Sequence, residues 1–171
     1  EAARQTGALE GHGGFVRSLA LGTSSLFAAS QANIKQWDFR GRKCLRTFSC
    51  DSSEDIHVLL MDAEKQRLFS GSNDGTVCMW DTRNPSQCVK SLSGHKGTVF
   101  TLALGFSDRL LFTGSRDHSI RVYDTLTLEL KAIFHPPHYD VVQCLSVSQK
   151  NSLFSGSRDY SLKQWDISSL E

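Results

Sequence analysis

Apolar positions in this chain come in short runs, and each run ends in small polar or turn-forming residues. Val16-Arg17-Ser18-Leu19 alternates as a half-buried strand does, and Val99 to Leu104 and Val142 to Val147 have the same β-type content. A short turn and a run of the form Leu-Phe-x-x-Ser follow each of these. An x-Asp-x turn then leads into a third run, of which Thr76-Val77-Cys78-Met79-Trp80 is an example. A fourth run closes the unit: Cys44 to Phe48, Cys88 to Leu92, Leu130 to Phe134. No segment keeps a 3.6-residue apolar pattern for the length of a helix, so the chain reads as all-β.

The runs recur at a fixed interval. LFAASQANIKQWD (Leu26 to Asp38), LFSGSNDGTVCMWD (Leu68 to Asp81), LFTGSRDHSIRVYD (Leu111 to Asp124) and LFSGSRDYSLKQWD (Leu153 to Asp166) align without difficulty. The aromatic before the last Asp falls at Trp37, Trp80, Tyr123 and Trp165, with spacings of 43, 43 and 42. Four short antiparallel strands at this period describe one blade of a β-propeller. The expected units span 12–50, 51–93, 94–136 and 137–167, within one propeller segment over 1–171. Residues 2–10 read as the outer strand of a preceding or closing blade. Gly71, Gly114 and Gly156 lie between small polar residues, where blades pack tightly.

The units resemble WD40 repeats, which carry Gly-His before the first strand and Trp-Asp at the end of the third. Gly11-His12 and Gly94-His95 have the first mark, Pro137-His138 keeps only the His, and Ser52-Ser53 has neither. Trp37-Asp38, Trp80-Asp81 and Trp165-Asp166 have the second, and Tyr123-Asp124 changes the ring. The resemblance implies a buried chain of hydrogen bonds through His, Ser/Thr, Asp and Trp. Matched by position, the third unit supplies His95, Ser115, Asp117 and Tyr123, and the fourth His138, Ser157, Asp159 and Trp165. The second supplies Ser72, Asp74 and Trp80 without a His. The first supplies His12, Ser30 and Trp37, and its turn, Gln31-Ala32-Asn33, is one residue short and lacks the Asp. Seven blades are usual in such propellers, about 300 residues at this period, so four blades are expected to be part of a larger ring.

Composition narrows function mainly by exclusion. Lys+Arg 19 against Asp+Glu 18 leaves a net charge of +1, which does not suit a polybasic nucleic-acid binder. Five scattered cysteines suggest reduced thiols and a cytoplasmic protein, and no run is long enough to span a membrane as a helix. Phosphate-loop, dinucleotide and H-E-x-x-H signatures are absent from the sequence. The His/Ser/Asp sets invite a catalytic reading, but they recur blade after blade with a structural aromatic attached. The expectation is therefore no enzyme, no cofactor and no metal.

Binding is expected at the loop face of the propeller, by resemblance to the family. Phe15, Arg17, His57, Phe100 and Gln143 start the first strands there, and Asn73, Arg116 and Arg158 lie in the turns. The expected role is a non-catalytic scaffold for a protein or peptide, with the three arginines favouring an acidic or phosphorylated segment. Self-association and pairing with further blades of a parent chain are the alternatives. A narrower resemblance joins FHPPHYDVVQCL (Phe134 to Leu145) and the run after it to the C-terminal WD40 domain of kinesin-4-type motors. That resemblance implies a cargo- or microtubule-linked regulatory domain with a cytoskeletal location.

Overall fold

The computed structural model describes residues 4, 7–49, 54–84, 88–105 and 108–170. Strands β1 (Val16–Leu21), β2 (Leu26–Ser30), β3 (Asn33–Asp38) and β4 (Lys43–Ser49) pair in chain order as one antiparallel sheet. The second sheet is β5 (Ile56–Asp62), β6 (Arg67–Ser72), β7 (Val77–Asp81) and β8 (Lys90–Leu92). The third is β9 (Val99–Leu104), β10 (Leu110–Ser115), β11 (Ile120–Asp124) and β12 (Leu130–Ile133). The last, β13 (Val142–Val147), β14 (Ser152–Ser157) and β15 (Leu162–Asp166), has three strands among the described residues and ends in a 3-10 turn at Ser168–Leu170. The expected four strands in every blade are thus present in three. Of the segment expected as an extra outer strand, Arg4 and residues 7–10 are not in a strand, and the rest lies outside the described residues. Gly7 is packed against the Arg42 guanidinium, beside the β3–β4 turn.

Side-chain alternation gives the sheets two apolar faces, and the facing sides of neighbouring blades pack together. Phe27, Ala29 and Ile34 of the first blade pack on Ile56, Leu59 and Trp80 of the second. Phe69 and Val77 meet Val99, Leu102 and Tyr123, and Phe112 and Ile120 meet Val142 and Leu153, in the same way. Two glycines let the backbones approach. A Cβ on Gly71 would fall 2.7 Å from Val99 Cγ1, and one on Gly114 would fall 2.7 Å from Val142 Cγ1. Outer strands add polar links in one direction: Arg46 donates to Thr82 and Arg83 carbonyls, Lys90 to Thr127, and Lys131 to Leu170.

Among the described residues, the outward faces of the first and last blades are exposed. Val16 is 48% exposed, while its register counterparts Ile56, Val99 and Val142 are at most 1% exposed. Leu162 is 73% exposed, against at most 2% for Ile34, Val77 and Ile120. No helix among the described residues is long and apolar enough to cross a membrane.

Candidate functional site: buried relays and the loop face

Each Trp-bearing strand presents its indole N–H to the interior, where a donor without an acceptor is costly. In the fourth blade Trp165 Nε1 donates to Ser155 Oγ at 2.8 Å, and that hydroxyl lies 2.7 Å from His138 Nε2. His138 Nδ1 reaches Asp159 Oδ2 at 2.8 Å. Backbone N–H groups of Tyr139 and Ser161 and the Ser161 hydroxyl also donate to the Asp159 carboxylate. An acceptor-only carboxylate takes a proton from Nδ1, which leaves Nε2 to accept from the Ser155 hydroxyl. The third blade has His95 between Asp117 (2.9 Å) and Thr113 (2.7 Å), with Ser119 and the Lys96 N–H completing the carboxylate. Tyr123 does not extend that chain. Its hydroxyl lies beside Arg121, and burial raises its pKa against the pull of that cation.

The hydroxyl in these relays is two residues ahead of the expected one. Ser155, Thr113 and Ser70 are the acceptors or bridges, whereas Ser157, Ser115 and Ser72 donate to the Asp140, Gly97 and Asp55 carbonyls. Ser115 and Ser157 also accept from the backbone N–H of Asp117 and Asp159. Register explains the shift. Leu153 stands opposite Trp165, so Ser155 and Ser157 share the indole's face. At about 3.3 Å per residue, Ser155 is about 7 Å along the strand and Ser157 about 13 Å, beyond indole reach. In the second blade Trp80 Nε1 donates to Ser70 at 2.9 Å, and Asp74 caps its own turn through the Thr76 N–H. The first blade has Ala28 at the hydroxyl position, and Trp37 donates directly to His12 Nε2 at 3.3 Å. Ser30 Oγ and His12 Nδ1 are buried without a hydrogen-bond partner among the described residues.

Burial pushes the Asp117 and Asp159 carboxyls up, but the hydrogen bonds that converge on them outweigh it and hold both well below the usual carboxylate range. Ser155, His138 and Asp159 have the bond order of a nucleophile, base and orienting carboxylate. Ser155 is 1% exposed, and its oxygen already receives the indole proton. These groups are structural and offer a substrate no approach.

The loop face is built differently. Every first strand carries a bulge at the same place, between Val16 and Ser18, Ile56 and Val58, Val99 and Thr101, and Val142 and Cys144. The residues it leaves out of the ladder are Arg17, His57, Phe100 and Gln143, because a bulge frees one side chain from cross-strand pairing. His57 and Phe100 meet edge to face at 5.3 Å. Burial lowers the His57 pKa, Arg17 lowers it further, and Asp55 opposes them. Arg17 is tied to Asp55 at 2.8 Å, beside a recess of about 390 Å³ lined also by Phe15 and Gln31. Asn73 donates to Glu54 and accepts from Thr98. Arg116 and Arg158 are exposed at equivalent turn positions. Tyr139 and Tyr160, which the sequence pattern did not single out, are 87% and 102% exposed on the fourth blade. Tyr160 (φ 64°) occupies the left-handed turn position that Gly75 (φ 85°) fills in the second blade.

The model for the WD domain, G-beta repeat matches residues 42–81, 86–124 and 129–166. A human kinesin-like protein, KIF21A, is 32% identical over 158 residues, 75% of this chain and 9% of that protein. Mouse kinesin-like protein KIF21B is 30% identical over 176 residues, 84% of this chain and 10% of that protein. Guanine nucleotide-binding protein subunit beta-1 of Nicotiana tabacum is 29% identical over 143 residues, 77% of this chain and 37% of that protein. The chain thus spans about a tenth of the kinesin-like relatives. Among solved structures, the crystal structure of the computationally designed Ika4 protein matches with a TM-score of 0.83 and 29% identity. That match covers 97% of this chain and 99% of the other.

Proposed function

Because the chain belongs to the WD40 repeat family, we propose that it is a protein-interaction scaffold that takes a peptide segment across its loop face. The repeated bulge carries this reading, since it places Arg17, His57, Phe100 and Gln143 at the same point of four successive blades. Bulges recur where a side chain is re-aimed toward a site. Arg116 and Arg158 make the expected partner acidic or phosphorylated, because planar guanidinium groups suit carboxylate and phosphate oxygens. Arg17 adds less to that charge, being held by Asp55. Phe15, Tyr139 and Tyr160 supply exposed aromatic area of the kind that anchors interfaces.

The test is capture of partners from a lysate with the unaltered chain, followed by affinity measurement on each captured segment. Replacing Arg116 and Arg158 by Glu is expected to weaken binding at least tenfold and to leave the fold unchanged by circular dichroism. Full affinity in that variant would sink the anionic-segment reading. The kinesin-like relatives support a second reading, a regulatory domain that recognises the motor or its track. Cosedimentation with microtubules and binding to a kinesin-like motor segment test it, and absence of both overturns it.

A further inference from the structure

The first blade concentrates positive charge at a place the blade plan does not require it. In each antiparallel unit the turn between second and third strands lies at the loop face, so the turn between third and fourth lies at the opposite end. In the first blade that turn and the strand after it read Phe39-Arg40-Gly41-Arg42-Lys43-Cys44-Leu45-Arg46. The carboxylate beside these four cations is Asp38, whose Oδ1 accepts from the Arg40 N–H. The corresponding run of the third blade, Thr125 to Lys131, has a single cation and Glu129.

Two recesses share Leu45. Phe39, Arg40 and Leu45 line one of about 370 Å³. Leu45, Arg46 and Arg83 line the other, of about 580 Å³, where the second blade adjoins the first. β4 is bulged here: Arg46 stands opposite Gln36 and Cys44 opposite Trp37, which leaves Leu45 out of the ladder. The third blade has Lys131 at the equivalent bulge, and its amine bonds to the Leu170 carbonyl. Leu45 is instead 52% exposed, and Phe39 is 44% exposed. The Thr82 and Arg83 carbonyls orient the Arg46 guanidinium without cancelling its charge. Arg83 is paired with Asp81, while Arg40 and Lys43 are exposed with no ion pair among the described residues.

We infer that these two recesses form a second docking site, for an extended peptide segment that interleaves carboxylates with apolar side chains. Charge complementarity and shape select that occupant. The cations border concave, partly apolar recesses, and a guanidinium fork suits a carboxylate. Leu45 and Phe39 offer apolar area to the residues between the acids. A nucleic acid would find one ring here, Phe39, on which to stack. The site is at the opposite end of the blades from Arg116 and Arg158 and stands independently of peptide binding at the loop face.

Fluorescence anisotropy with a labelled peptide of glutamates interrupted by leucines tests it. The unaltered chain is expected to bind at micromolar concentration, with affinity falling about tenfold between about 0.05 and 0.5 M salt. Replacing Arg40 and Lys43 together by Glu, at two exposed positions, is expected to weaken binding about thirtyfold. The same pair replaced by Gln, which adds no charge, is expected to give part of that loss. Leu45→Ser is expected to cost about fivefold with an unchanged circular dichroism spectrum. Arg116→Glu with Arg158→Glu is expected to leave this peptide's affinity unchanged, which separates the two sites. No binding up to about 1 mM overturns the inference. So does a loss caused by the loop-face pair and not by the hairpin pair, or a Leu45→Ser chain that keeps full affinity. Phosphatidylserine vesicles or a single-stranded oligonucleotide that bind this hairpin more tightly than the peptide assign it to another occupant and overturn it as well.

Discussion

The fourth and first blades have the same backbone plan and opposite polar interiors. In the fourth, an indole, a hydroxyl, an imidazole and a carboxylate form one continuous relay, and no group in it lacks a partner. In the first, Ala28 removes the hydroxyl and a two-residue turn removes the carboxylate, so the indole falls back on His12, and Ser30 Oγ and His12 Nδ1 have no hydrogen-bond partner among the described residues. Both blades still hold their aromatic at the same register position, opposite Leu26 and Leu153. Apolar burial therefore sets the blade, and the relay pins the turn between second and third strands to the loop before the first. The first blade replaces that turn with Gln31 in a left-handed conformation, φ 52°.

His138→Ala breaks the comparison most severely. It leaves Asp159 and Ser155 without their shared partner, and a loss of about 2–3 kcal/mol is expected in urea unfolding. His12→Ala is expected to cost less, about 1 kcal/mol, because it orphans a single donor, the Trp37 indole N–H, whose bond to His12 is long. Acid distinguishes the blades next. Asp117 and Asp159 have folded pKa values below the unfolded ones, so their stabilisation is fully present above the unfolded value of about 4. It is lost as pH falls through the folded values. A denaturation series from pH 6 to 2 is expected to show this loss, and Asp159→Asn to flatten part of the slope. Ala28→Ser rebuilds the missing hydroxyl and is expected to stabilise the chain by about 0.5–1 kcal/mol. No gain in urea midpoint would mean that Trp37 is already satisfied by His12.

The smallest effect comes from His12 itself. Burial lowers its pKa and Lys35 lowers it further, so protonation disfavours the fold. The neutral ring's contribution is fully present above about pH 6.5 and fades as pH falls through the lowered folded value. Tryptophan fluorescence at pH 5 and 7, compared between wild type and His12→Gln, is expected to show a shift only in the wild type.

Strands, turns and the aromatic period were legible in the sequence because alternation and spacing are local properties. The identity of the relay hydroxyl was not, although Ser70-Gly71-Ser72 and its equivalents put two candidates side by side. Choosing between them needs strand register, and register is a pairing between distant residues. The bulges that group Arg17, His57, Phe100 and Gln143 are hidden for the same reason. Tyr160 escaped notice because a turn position gives no hint that an aromatic will be held fully outward. The last sheet has three strands among the described residues, in keeping with fourth-strand runs that the sequence offers only at Cys44 to Phe48, Cys88 to Leu92 and Leu130 to Phe134.

The first strands of successive blades lie against one another in order, β1 on β5, β5 on β9 and β9 on β13. Mechanically the chain is a one-dimensional array, in which stability is a sum of unit strengths and nearest-neighbour couplings. Cooperativity then depends on three junctions, and a weak junction divides the unfolding transition instead of lowering it uniformly. Amides of the buried second strands β6 and β10 should be among the last to exchange with solvent, and those of the exposed outer strands β4, β8 and β12 among the first.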